Sequence, residues 1–206
     1  MVYFNLGRKI GMTQIFDDRG LTIPVTIIKA GPCIIVQIKN DAKHGYSSVQ
    51  IGYDKVEYNK VKKPILGHFK KNNITPLKYL FEMKIDSLTK CDIGQLIKVD
   101  SFVIGQKVKI SANSIGKGFS GCQKRHNFAR GPMSHGSKNH RQPGSIGAGT
   151  TPGRVIPGKK MAGQLGNKKT TIKNLKIVYI DKINNLLGIK GSVPGKTGNL
   201  LKVVSV

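Results

Sequence analysis

Between Asp100 and Asp181 the chain has no aspartate and no glutamate, while the same stretch carries fifteen lysines and arginines. A solvated protein surface normally mixes both signs of charge. A one-sign run of that length repels itself, and becomes sensible when a polyanion fills the space around it. The phosphate backbone of a nucleic acid is the strongest candidate. An anionic membrane surface and an acidic protein are the two other partners that such charge would suit. The whole chain agrees, with 35 Lys and Arg against 10 Asp and Glu and a formal net charge of +25. Its isoelectric point near 10.2 falls in the range read as a nucleic-acid footprint.

Other scarcities narrow the field. There is no tryptophan and aromatics make up 6% of residues, so a stacking platform for single strands is poorly supported. Folded RNA, gripped through phosphate and ribose, fits better. The three cysteines, Cys33, Cys91 and Cys122, lie far apart with no CxxC pair. That excludes a zinc ribbon and a disulfide framework, and leaves buried or incidental thiols in a reducing compartment. No apolar run approaches a membrane span, and the N-terminus lacks the apolar core of a signal peptide. A cleavable transit peptide is also expected to be absent, because strand-like sequence starts within the first dozen residues. Lysine outnumbers arginine by 29 to 6, the bias of an AT-rich genome.

Catalysis lacks its parts. His126, His135 and His140 have no carboxylate nearby in sequence to orient an imidazole. As metal ligands they would have no fourth partner beyond Cys122. Histidines among arginines are suited to hydrogen-bond phosphates or stack on bases. Gly116-Lys117-Gly118-Phe119-Ser120-Gly121 matches GxGxxG, but no acid follows to hold a ribose, so a tight turn that approaches a phosphate closely is the better reading. Gly191-Ser192-Val193-Pro194-Gly195-Lys196-Thr197 resembles a P-loop one residue short. A strand-like run follows it where a phosphate-binding helix is required, so it reads as a hairpin turn. No cofactor, metal or catalytic residue is expected, and the chain does not read as an enzyme.

Apolar residues concentrate in the first hundred positions and the last thirty-five. Short β runs are expected at Met12–Phe16, Leu21–Lys29, Cys33–Lys39 and Tyr46–Tyr53. A turn falls at Asp17–Gly20 and a loop at Asn40–Gly45. Thr75-Pro76 reads as a helix start. Strand-like alternation returns over 93–110, then at Thr171–Ile180, Leu186–Lys190 and Leu200–Val206. The pattern predicts a mainly β fold. One barrel whose ends pair is built from residues 1–110 and 171–206, with a small α/β insertion at about 54–92. Residues 111–170 form a long Gly/Lys/Arg-rich, non-globular extension. Of the chain's 25 glycines, twelve lie there, and no core of its own is expected.

The extension carries an ordered set of motifs. They are the GxGxxG run, Lys124-Arg125-His126, Gly131-Pro132-Met133-Ser134-His135-Gly136-Ser137 and Pro143-Gly144-Ser145-Ile146-Gly147. Thr151-Pro152-Gly153-Arg154-Val155 and Pro157-Gly158-Lys159-Lys160-Met161-Ala162-Gly163 follow. With Gly11-Met12-Thr13, Ile23-Pro24-Val25-Thr26, Asn185-Leu186-Leu187 and Lys190–Gly195, they resemble the large-subunit ribosomal protein L-three family (universal uL-three), of cyanobacterial or plastid type. The resemblance covers nearly the whole chain, with residues 54–100 least diagnostic. It implies an elongation-factor domain-two-like β-barrel, and an extension that penetrates large-subunit, 23S-type rRNA toward the peptidyl-transferase centre. It implies early rRNA binding during subunit assembly, beside proteins of the L-fourteen and L-nineteen families. Lys117, Lys124, Arg125, Arg130, Lys138, Arg141, Arg154, Lys159 and Lys160 would be rRNA contacts, with 140–154 nearest the tip. His126, His135, His140, Lys168 and Lys169 complete the expected rRNA-binding set.

Two positions depart from the family pattern. Lys109 stands where Asp or Asn is usual, which bears on a local turn or hydrogen bond. Ala148 stands where some bacterial members carry a methylated Gln; alanine has no amide to modify, so no such modification is expected. His135–Arg141 and Gly147–Thr151 are similar to cyanobacterial and plastid members, so a plastid ribosome is the preferred setting and a bacterial cytoplasm the alternative. Neither a membrane nor a homo-oligomer is expected. The competing readings are a nucleic-acid chaperone or DNA-compacting protein, which would not distinguish RNA from DNA, and a nucleotide-dependent enzyme resting on the two Gly motifs.

Overall fold

The computed structural model describes residues 4–85 and 91–206. Part of the expected insertion, residues 86–90, lies outside the described residues. The chain divides into two units, Met1–Asn113 with Lys169–Val206, and Ser114–Lys168. In chain order the first unit holds β1 (Phe4–Phe16), β2 (Thr22–Ala30), β3 (Cys33–Lys39), α1 (Asp41–His44) and β4 (Ser48–Lys55). It continues with α2 (Lys63–Lys71), β5 (Leu77–Lys84), β6 (Leu96–Ile97) and β7 (Lys107–Asn113). The second unit holds β8 (Phe119–Ser120), α3 (Cys122–His126) and β9 (Gly163–Gln164). The chain then returns to the first through β10 (Lys169–Asp181), β11 (Leu186–Lys190) and β12 (Leu200–Ser205). The fold is mainly β, as the sequence predicts.

Six strands close a barrel in the order β1-β12-β7-β10-β11-β2. The chain's ends meet in it, with Phe4 opposite Val204 and Arg8 opposite Leu200. Alternation sets the interior. Ile28 and Ala30, Val108 and Ile110, Leu187 and Ile189, and Leu201 and Val203 all point into one buried cluster. Their period of two is what a strand with one face on a core requires. Register shifts in β1 at Lys9/Gly11 and in β10 at Ile172/Leu175 bend the long strands, as closure of a sheet demands. Asp17 builds the β1–β2 turn: its Oδ1 accepts from the backbone N–H of Arg19 at 3.0 Å and of Leu21 at 2.8 Å.

β3 and β4 do not join the barrel, contrary to the single-barrel expectation. They form a second sheet in the order β5-β4-β3-β6. At the end of β2, Gly31 adopts φ +77, and the chain turns out of the barrel. Both faces of the new sheet are then covered. Cys33, Ile35, Val49 and Ile51 pack with Phe4, Leu6 and Val204, while Val36 packs with Phe69 and Leu77 on α2 and β5. The shift between Ile35 and Gln37 in the β3–β4 register breaks the alternation that a one-sided strand would show.

Four further differences have local causes. The helix belongs to Pro64, in the first turn of α2, and not to Pro76, which leads into β5; the first-turn preference of proline suits both sites, but the residues after Pro76 pair with β4 from Leu77 opposite Lys55 onward. β1 begins at Phe4, well before Met12, because Gly7, Arg8 and Lys9 mask its alternation. Residues 41–44 are one turn of helix rather than loop. Lys109 lies in mid-strand, opposite Val204, and not at a turn.

The P-loop look-alike is not a hairpin, since β11 and β12 are not neighbours. Gly191 donates to the Pro24 carbonyl at 2.8 Å, and Lys9 Nζ donates to the carbonyls of Val193 and Gly195, both at 3.0 Å. The segment thus crosses β2 and β1 and seats Val193 in the barrel core.

A small polar cluster fastens the second sheet. Lys39 Nζ donates to Glu82 Oε2 at 2.6 Å and to the Tyr46 hydroxyl at 2.7 Å, and Ser48 Oγ donates to Glu82 Oε1 at 2.7 Å. Burial pushes the Glu82 carboxyl up, but these hydrogen bonds together outweigh it and bring the pKa down from 4.5 to about 2. A depressed carboxyl adds stability that is present above its unfolded pKa and is lost as pH falls through the folded value. Glu82→Gln is therefore expected to lower the thermal midpoint by a few degrees at neutral pH. The gap to the parent protein should close between pH 4.5 and about 2. A gap that stays constant over that window contradicts the assignment.

Candidate nucleic-acid interface

The second unit begins and ends on a short antiparallel ladder. Ser114 N–H donates to the Lys168 carbonyl at 2.9 Å, Lys117 N–H to Leu165 at 2.9 Å, and Leu165 N–H to Gly118 at 3.0 Å. Phe119 then faces Gln164, and Ser120 faces Gly163. The GxGxxG run is one side of this ladder, with Gly118 at φ +64. Two strands of two residues each are not the parallel sheet that a dinucleotide fold needs.

The ladder feeds α3, which buries Cys122. The helix ends at Asn127, in the left-handed region with φ +60. Two of its side chains turn back into the unit. Arg125 Nη1 donates to the Met161 carbonyl at 2.6 Å, and His126 Nε2 donates to the same oxygen at 3.0 Å. Gly163 makes room, since a Cβ there would sit 2.7 Å from Arg125 Nη1. A second closure joins Gly131 N–H to the His140 carbonyl at 3.1 Å, with His140 Nδ1 donating to Pro132 at 2.9 Å. Gln123 Nε2 ties Arg141 to this root through its carbonyl at 2.7 Å. A side chain at Gly131 would strike the Asn139 carbonyl.

Beyond that root the character changes. Every residue from 141 to 160 is exposed, and none is in a helix or strand. Past Arg141 the backbone carries turn hydrogen bonds such as Gly153 N–H to Gly149 at 3.1 Å and Lys159 N–H to Ile156 at 3.3 Å. Ile156 stands 65% exposed and Met133 62% exposed, so this segment buries little apolar surface of its own.

The expected cations fall into two groups. Lys117, Lys124, Arg130, Lys138, Arg141, Arg154, Lys159 and Lys160 are exposed, as is His135. Among the described residues, no ion pair involves any of them. Arg125, His126 and His140 are half-buried and engage carbonyls inside the unit. Lys168 is exposed at the foot of the ladder, and Lys169 opens β10 in the barrel unit. The unit carries ten lysines and arginines and no acid. Its cations therefore have no carboxylate within the unit to neutralise them. Such a surface supplies point charges and guanidinium forks suited to phosphate oxygens. Among the described residues, no group of three His, Cys, Asp or Glu is placed to hold a metal. No helix among them is long and apolar enough to cross a membrane.

The sequence pattern did not mark the division of labour. Arg125 and Arg130 carry the same local signal, yet only Arg125 meets a carbonyl thirty-six residues away. Arg125→Gln is expected to cost about 1.5–3 kcal/mol of local stability, the value of a hydrogen bond to a charged group. Faster amide exchange in residues 119–126 and 161–165, with the barrel unaffected, would report it. Unchanged exchange there would show that Arg125 is not a brace.

Comparison with known proteins follows the same lines. A family model described as ribosomal protein L3 matches residues 80–188. The large ribosomal subunit protein uL3c of Phaeodactylum tricornutum is 65% identical over 204 residues, 99% of each chain. That of Porphyra purpurea is 62% identical over 198 residues, 96% of this chain and 97% of its own. The large ribosomal subunit protein uL3 of a Synechococcus species is 57% identical over 198 residues, 96% of this chain and 93% of its own. With that identity sustained from end to end, the chain belongs to the ribosomal protein L3 family.

Proposed function

We propose that this protein is a structural constituent of the large ribosomal subunit that binds 23S-type rRNA and supports early assembly of the subunit. It is not an enzyme; its role is electrostatic and geometric. The observation that carries the reading is the acid-free unit 114–168, with a hydrogen-bonded root and an exposed cationic segment from 141 to 160. Crossing RNA backbones need such cations between them, and a glycine-rich backbone lies close to RNA without side chains in the way. The exposed lysines and arginines of that unit, with His135, are the proposed rRNA contacts. Arg125, His126 and His140 act as braces that shape them, and Lys168 and Lys169 meet rRNA at the unit's foot. The segment 140–154 lies nearest the peptidyl-transferase centre, whose chemistry belongs to the RNA.

The closed six-stranded barrel supports kinship with the second domain of elongation factors, and serves as the platform from which the extension enters the rRNA. Proteins of the L-fourteen and L-nineteen families are its proposed neighbours. The working place is the plastid ribosome. Relatives named uL3c reach 65% identity against 57% for the cyanobacterial relatives. Sedimentation of the native protein from its own lysate, with a high-salt wash and an RNase-treated control, tests the reading. About one copy per large subunit after the wash is expected. Release by salt, or spread across RNA and DNA fractions, would replace it with a promiscuous chaperone.

A further inference from the structure

The extension is not the only place where cations converge without acids. On the outer wall of the barrel, β7 lies between β12 and β10. Lys202 faces Ser111 across the β12–β7 pair, and Lys169 faces Asn113 across the β10–β7 pair. Lys109 and Ser111 share a face of β7, two residues apart. None of these three lysines makes an ion pair among the described residues. Between the strands lies a cleft of about 180 Å³, lined by Lys202, Lys169, Ser111, Asn113, Asn199 and the ring of Phe81.

Lys202 is the telling residue. A lysine on the outer face of a strand normally extends its ammonium into water. Here Nζ lies 3.7 Å from the centre of the Phe81 ring. Burial, then the charges of Lys169 and Lys109, push its pKa down to about 8. The neighbouring hydroxyl and amide donors are already engaged: Ser111 Oγ with Thr171 Oγ1 at 2.8 Å, and Asn199 Nδ2 with the Asn113 carbonyl at 2.9 Å. The cations are what the cleft has to offer. An anion placed there relieves the mutual repulsion and restores full protonation of Lys202. Lysine ammonium groups bind phosphate oxygens as compact point charges with three donors each.

We propose that this cleft is a phosphate site, at which Lys202 and Lys169, with the charge of Lys109 beside them on the same face, hold a phosphodiester group of the rRNA backbone against the barrel wall. The proposal rests on the rRNA-binding reading above, and adds an anchor outside the extension. Lys202 escapes notice in the sequence because it reads as the polar half of a strand alternation, and Lys109 stands out there only as a departure from the family pattern.

The test has two arms. In the first, the full chain and its Lys202→Gln and Lys202→Arg variants are titrated with 23S-type rRNA over a series of salt concentrations. Loss of one phosphate contact is expected to make the slope of log K against log salt shallower by about 1 in Lys202→Gln. Lys202→Arg should keep the parental slope. In the second arm, acylation of Lys202 in the parent protein is followed with and without inorganic phosphate; phosphate in the cleft should slow it several-fold. A parental slope in Lys202→Gln, with rRNA binding intact, overturns the anchor and leaves the rRNA reading standing. Failure of the parent to bind rRNA removes that reading, and with it the rRNA anchor. Protection by phosphate in that case would leave a free-anion site only. Absence of protection overturns the site as a phosphate cleft, whichever RNA result accompanies it.

Discussion

Replacing Lys117, Lys124, Arg130, Lys138, Arg141, Arg154, Lys159 and Lys160 together by glutamine is expected to lower affinity for 23S-type rRNA by about three orders of magnitude at physiological salt. Each phosphate contact contributes about 0.7–0.9 to the slope of log K against log salt. Eight lost contacts should therefore flatten that slope by roughly 6–7. The fold should survive. These side chains are exposed and form no ion pair among the described residues, and removing them relieves self-repulsion. Binding curves at several salt concentrations, with a thermal melt as control, measure both effects. In cells, the variant should leave large subunits unassembled. An unchanged salt slope with normal assembly would show that the extension's charge is not what binds.

The second large effect is expected from one glycine. Gly166 sits at φ +75, and a Cβ there would collide with the carbonyl of Ile115. Gly166→Ala thus combines a left-handed backbone, which costs about 1–3 kcal/mol for a non-glycine residue, with overpacking of about 1–3 kcal/mol. Nothing flexible can yield, because the obstructing atom is backbone and belongs to the ladder that opens the unit. The Lys117–Leu165 and Asn167–Ser114 hydrogen bonds should be lost with it. Limited proteolysis should then nick residues 114–168 faster than in the parent, while the barrel keeps its melting temperature. The rRNA affinity should fall even though every cation is still present, because a loosened root no longer presents them in one arrangement. Parental protease resistance would show that the ladder tolerates the change.

The two variants separate charge from geometry, and the sequence speaks unequally to them. Charge segregation is written in composition. The absence of acids between Asp100 and Asp181 needs no fold to be read. The mainly β class was also legible, because Cys33–Lys39 and Leu186–Lys190 are strands with the very bounds that their β-branched and apolar residues suggest. The ordered motifs of residues 116–163 carry the family resemblance in the sequence itself. These signals are local, or sums along the chain, so they survive without knowledge of what packs on what.

Only the tertiary structure decided the rest. A period of two says which side chains share a face, but not which strand will lie alongside. β3 and β4 therefore read as barrel strands, although their partners are β5, β6 and the outer faces of β1 and β12. The same ignorance of partners hid the crossing of 191–199 over β2 and β1. Among the cations, identical residue types in one acid-free run take different roles, because Met161 brings its carbonyl to Arg125 and nothing comparable reaches Arg130. Lys109, Lys169 and Lys202 are brought together only by the registers of β7 with β10 and β12. Composition and alternation fixed what kind of molecule this is; long-range pairing, which no local pattern encodes, decided which of its charges are braces and which face outward.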